Sequence, residues 1–73
     1  MKYKVYFGRN ILDAENSDFL GEFNIMEEAE SFVFKHIKEN HKSSVYTRII
    51  YQSEHSRWYD YGSWFLFYSI IGN

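Results

Sequence analysis

The chain contains no cysteine and no proline. Without cysteine there are no disulfides, no thiolate nucleophiles and no Cys-ligated zinc, so the fold must stand on packing alone, which suits a reducing cytoplasm. Without proline, no turn has a ring-fixed φ. Only four glycines are present, and no phosphate-cradling glycine loop, GxSxG elbow or HExxH motif occurs among them. No apolar run approaches the roughly 18 to 20 residues of a membrane helix, and the N-terminus lacks the apolar core of a secretory signal. A soluble, unprocessed, cytoplasmic protein with no membrane partner is therefore expected. An excess of positive charge is missing too: the net charge is −2 and the pI about 5.8.

What the chain does have is rings. Seven Phe, seven Tyr and two Trp stand among 73 residues, a length that supports one small domain spanning residues 1–73. Each ring buries about 150 to 250 Å², which compensates for the short length. A single-layer core cannot hide all of them, and an exposed cluster of large apolar side chains marks an interface.

Alternation predicts the elements. Tyr3, Val5 and Phe7 fall on one side of a strand and Lys2, Lys4 and Tyr6 on the other, with Gly8 ending it. Arg9 to Ser17 reads as an acidic loop anchored by Ile11 and Leu12. A short second strand follows at Phe19 to Phe23, with Gly21 marking a bulge or a close backbone approach. Asn24 and Glu27 have capping-box spacing. From Met26 the apolar positions Ala29, Val33 and Ile37 recur at helical steps, predicting a helix that ends around Asn40 to Lys42. Its acids, Glu27, Glu28 and Glu30, lie in the opening turns and its lysines near the end, as the helix dipole favours. Phe34 lies off the helix stripe, as a flank of the core or an exposed contact.

Val45 to Ser53 reads as a strand, with Val45, Thr47, Ile49 and Tyr51 on one face and Tyr46, Arg48, Ile50 and Gln52 on the other. Glu54 to Gly62 reads as a long hairpin connection. Trp64 to Ile71 is apolar on both faces, which predicts a central strand or a strand with one face held for a partner. The expected fold is α+β of ββαββ type: a four-stranded, mostly antiparallel sheet with one helix on one face. The last strand is apolar on both faces, and one helix covers only one, so an uncovered face with Tyr6, Tyr46, Ile50, Phe65 and Phe67 is expected; alternation leaves open which set faces the helix, and the surplus of rings exists under either assignment.

Chemistry is sparse. His36 and His41 are about 140° apart around a helix and cannot share a metal there, and His55 belongs to another segment. The acidic loop with Asp13, Glu15 and Asp18 lacks EF-hand spacing. No metal or cofactor is expected. Glu54, His55 and Asp60 are the one acid–base grouping near a turn, and loop-organising hydrogen bonds account for them without catalysis. A non-enzyme is expected. Charge is segregated, with a net −7 in residues 13–30 and +3 on each side, in residues 1–12 and 31–57. Helix N-terminal acids and the acidic loop explain most of this.

The run Trp58-Tyr59-Asp60-Tyr61-Gly62-Ser63-Trp64-Phe65, with Phe67 after it, resembles the C-terminal pattern of small uncharacterised proteins from Gram-positive bacteria, their phages and mobile elements. That pattern often has His after the Ser, where this chain has Trp64. Phe23-Asn24 with Glu27-Glu28-Ala29-Glu30 is similar to the strand-then-helix start of such proteins. The resemblance implies a small accessory protein without catalytic residues, of the kind that inhibits or modulates a host protein, including defence nucleases.

The function expected is a protein-binding module acting through an aromatic surface, with Tyr6, Tyr46, Arg48, Trp58, Tyr59, Tyr61, Phe65 and Phe67 as interface residues, since Tyr and Trp dominate hot spots. Its partner is another protein or a second copy of the chain. The alternative is a single-stranded nucleic-acid binder that stacks bases on Tyr6 beside Lys2 and Lys4, or on Tyr46 beside Arg48. The acidic pI and thin basic clustering argue against it.

Overall fold

The computed structural model describes residues 1–9, 17–41, 47–63 and 66–72. Tyr46, Trp64 and Phe65, and the loop positions Ile11, Leu12, Asp13 and Glu15, lie outside the described residues. The elements run β1 (Tyr3–Gly8), β2 (Asp18–Phe23), α1 (Met26–Asn40), β3 (Arg48–Gln52), β4 (Ser56–Asp60) and β5 (Phe67–Gly72). All pairings are antiparallel, and the sheet order is β2-β1-β5-β4-β3.

The α+β class and the single helix agree with the sequence reading, but the sheet has five strands and not four. The extra strand is β4, within the segment expected to be a long connection. Its alternation is real: Arg57 and Tyr59 point to one face and Ser56, Trp58 and Asp60 to the other. Polar residues on the second face disguised it as loop. The β3–β4 turn is short, closed by the Ser53 N–H donating to the Ser56 carbonyl at 2.9 Å. β5 is the middle strand of the five, and its helix-side residues Tyr68 and Ile70 are fully buried.

Along α1 the buried positions are Met26, Ala29, Val33 and Ile37, the predicted stripe. The start differs in detail. Ile25 occupies the N-cap position with no side-chain cap bond, and Asn24 instead accepts a hydrogen bond from the Lys2 ammonium at 2.5 Å. A residue placed one step before the cap cannot reach the orphan amides, so the capping box does not form.

The helix packs on β1, β2 and β5. On that face Val5, Tyr59, Tyr68 and Ile70 are fully buried with Ala29 and Val33, and Tyr3, Phe7, Leu20, Phe23, Phe32 and Leu66 pack around them. Each fully buried side chain of this size contributes about 1.5–3 kcal/mol. The helix does not extend across β3, all five residues of which are exposed. Gly72 lies where close approach demands glycine, because a Cβ there would stand 2.7 Å from the His55 carbonyl oxygen.

Candidate functional site: the helix-free face of the sheet

Register places five residues in one row across the face opposite the helix. Tyr6 on β1 pairs with Phe19 on β2 and Ser69 on β5; Trp58 on β4 pairs with Ser69 and with Tyr51 on β3. Four rings therefore flank one serine, in the order Phe19, Tyr6, Ser69, Trp58, Tyr51. The rings pair on each side, with centroids 5.7 Å apart for Tyr6 and Phe19 and 4.4 Å apart for Tyr51 and Trp58. Both spacings lie in the favourable range for aromatic contacts. Phe67 and Ile71 stand on the same face of β5, two residues to either side of Ser69.

Two bulges create this row. β2 carries an extra residue, Leu20, between Phe19 and Gly21, and β3 carries Ile50 between Ile49 and Tyr51. One inserted residue reverses the parity of everything beyond it. Tyr51 thus joins Arg48 on the helix-free face, while Ile49 pairs with Tyr59 on the other. Strict alternation had put Ile49 and Tyr51 together, and that grouping is overturned.

Exposure is greatest at the row's ends: Phe19 is 57% and Tyr51 44% accessible, whereas Ser69 is buried at 4%. Tyr6, Trp58, Phe67 and Ile71 are half-buried. Charges sit at two diagonal corners. Lys4 faces Glu22 across β1 and β2, and the Arg48 guanidinium donates to the Asp60 carboxylate at 3.3 and 3.4 Å. The indole N–H of Trp58 is buried with no acceptor among the described residues.

Of the interface residues expected from sequence, Tyr6, Arg48, Trp58 and Phe67 share this face. Tyr59 and Tyr61 do not: they are buried in the core beneath the helix, at 0% and 7% accessibility. Tyr59 is one residue out of phase with Trp58, so the two cannot serve the same surface. Phe19, Tyr51 and Ser69 are members the sequence reading missed. The signal for Phe19 was the glycine two residues on, at position 21, which marks the bulge; Tyr51 and Ser69 required the cross-strand register.

The buried side holds two polar clusters. The Tyr59 hydroxyl donates to Glu30 Oε2 at 2.6 Å, and Arg57 Nη1 donates to the same oxygen at 2.8 Å. Burial, then the adjacent Glu30 carboxylate, pushes the Tyr59 phenol above its ordinary value. Burial opposes the Arg57 charge, but its bonds to Glu30 and Tyr59 outweigh that and raise it. At the far end of the helix, His36 Nδ1 lies 2.6 Å from the Tyr68 hydroxyl, and the His41 ring stacks on Tyr61 with centroids 4.3 Å apart. Burial and then the neighbouring His36 lower the His41 pKa. His41 is thus a packed residue, in ring contact with Phe7, Tyr61 and Tyr68. Its place just past the last helical residue frees it from the 140° separation and lets both rings reach Tyr68. Burial, then Tyr61, raises the Tyr68 phenol. Both phenols stay protonated at neutral pH and act as hydrogen-bonding core groups. Among the described residues no three metal-ligating side chains converge, and no helix is long and apolar enough to cross a membrane.

Comparison with protein-family models, curated proteins and solved structures finds no match to this chain.

Proposed function

We propose that this chain is a small protein-binding module whose interface is the helix-free sheet face built on Tyr6, Trp58, Tyr51, Phe19 and Phe67. The observation that carries the reading is the in-register row of four rings flanking Ser69, which crosses all five strands with no element of the described chain packed over it. Rings at this density on a surface are the usual material of binding hot spots. A pre-ordered β surface also loses little conformational entropy on binding, because its side chains are already held by their cross-strand neighbours.

The charges favour a protein over a nucleic acid. Lys4 and Arg48, the cations beside the rings, each face a carboxylate across a strand pair, which leaves little attraction for a phosphate backbone. The inhibitor or modulator role that the Trp58-to-Phe67 resemblance implies would be exercised through this same face, where both ends of that segment lie. Arg48 belongs to its rim.

The test is capture of a partner on the immobilised protein from a lysate of the source cell, with the wild type compared against Trp58→Glu. Loss of the captured protein in the variant, with the far-UV circular dichroism unchanged, is the expected outcome. Equal capture by the two would contradict the reading. A captured species that is removed by nuclease and by about 0.5 M salt would instead support the nucleic-acid alternative.

A further inference from the structure

The layout of the face specifies its occupant. Take β5 as the midline: β1 and β2 lie on one side of it, β4 and β3 on the other. Tyr6 and Trp58 then stand at equal distances from the midline, and so do Phe19 and Tyr51, because each pair lies in the Ser69 row. A two-fold axis along β5 between two facing copies superimposes these positions. Tyr6 comes to lie over Trp58 of the second copy and Phe19 over its Tyr51, while Phe67, Ser69 and Ile71 meet their own equivalents on the axis.

The charges fit the same operation. Lys4 falls opposite Ser56, which shares its row across β5, and Asp60 falls opposite Gly8, which shares the Phe67 row with it. Glu22 and Arg48 occupy diagonally opposed corners, so the rotation places neither against its own kind. No like charges oppose, and none sits on the axis. Such self-complementarity is what an isologous interface requires.

The sheet edges offer no rival route. Both edge strands, β2 and β3, carry a bulge, which twists an edge out of line for a further strand. Area is sufficient for a modest affinity. Five strands spaced about 4.8 Å apart and about 20 Å long cover roughly 480 Å² per copy, or about 1,000 Å² in total, the lower bound for a specific interface.

We infer that the partner of the helix-free face is a second copy of this chain, packed sheet on sheet about the β5 axis with both helices outward. This deepens, and rests on, the reading of that face as a protein-binding surface. Aligned sheet packing about 10 Å apart, with the two β5 strands parallel at the axis, is the expected geometry.

Sedimentation velocity on the purified wild type over about 1–300 µM tests it, since an interface near the lower size limit dissociates in the micromolar range. A rise to twice the 8.9 kDa chain mass is expected, with Trp58→Glu and Ile71→Lys remaining monomeric and Phe34→Glu, on the helix side, still dimerising. Because the chain lacks cysteine, Phe67→Cys supplies a single thiol near the axis. A short bis-maleimide should link two copies of Phe67→Cys and leave Phe34→Cys unlinked. A wild type that stays monomeric throughout, or a dimer that survives both face substitutions in folded protein, overturns the inference. If that monomer still captures a foreign protein in a Trp58-dependent manner, the second copy is wrong and the binding face stands. If Trp58-dependent capture is also absent, both fail.

Discussion

Replacing Tyr59 by phenylalanine removes one oxygen from the core and leaves the ring in place. That oxygen donates to Glu30 at 2.6 Å, sharing the acceptor with Arg57 at 2.8 Å. A hydrogen bond to a charged group contributes about 1.5–3 kcal/mol. The Glu30 side chain is 26% accessible, so water competes for the carboxylate and a loss of about 1–2 kcal/mol is expected. The substitution adds no new buried donor, but the Arg57 guanidinium also loses its bond to the Tyr59 oxygen. With a urea m-value near 1 kcal/mol/M for a chain this short, the unfolding midpoint should fall by about 1–2 M. Glu30→Ala combined with Tyr59→Phe should then cost less than the two singles added, by about 0.5 kcal/mol or more, since both remove the same bond. A midpoint shift below about 0.3 M for Tyr59→Phe, or strict additivity, would refute the placing of Tyr59 as a core anchor.

Two further outcomes follow from the same packing. His41 has a lowered pKa in the folded chain against an ordinary value of 6.5, so the unfolded chain binds its proton more readily. Its stabilisation is complete above about pH 6.5 and is lost as the pH falls through the lowered folded value; thermal unfolding between pH 7.5 and 5.5 should therefore show a decline that His41→Gln reduces, and an identical decline in the variant would contradict this. Gly62 has φ +109° with open space around it, and its N–H donates to Asp60 Oδ1 at 2.8 Å. Gly62→Ala should cost about 1–3 kcal/mol through backbone strain alone, lowering the melting temperature by several degrees; an unchanged melting temperature would show that the turn relaxes freely.

The readings that succeeded rested on local periodicity. The helix stripe from Met26 to Ile37 repeats at 3.6 residues within one element, and β1 alternates without interruption, so each was legible without knowledge of its neighbours. β5 announced its central place by being apolar on both faces. What failed was information held between strands. The bulges at Leu20 and Ile50 shift parity by one residue, and only the partner strand reveals that shift; Tyr51 was therefore grouped with Ile49, which lies on the opposite face, and Phe19 was overlooked. β4 was missed because Ser56 and Asp60, on the face without a helix, carry polarity that a solvent-facing strand shares with a loop. Tyr59 and Tyr61 were grouped with Trp58 because nearness in sequence was taken for a shared surface, although strand geometry turns successive side chains to opposite faces. Half the expected site, Tyr6, Arg48, Trp58 and Phe67, does lie together on one face.

Photo-crosslinking from two positions tests the central claim most directly. A photoreactive phenylalanine analogue replacing Phe67 lies on the helix-free face; the same analogue replacing Phe34, 45% accessible and in edge contact with Tyr59, lies on the helix side. Both substitutions preserve an aromatic ring, and both report a partner of either kind. Adducts, with a second copy or with another protein, should form from position 67 and not from position 34. Adducts from position 34 alone, or in equal yield from the two, would contradict the assignment of binding to the aromatic face.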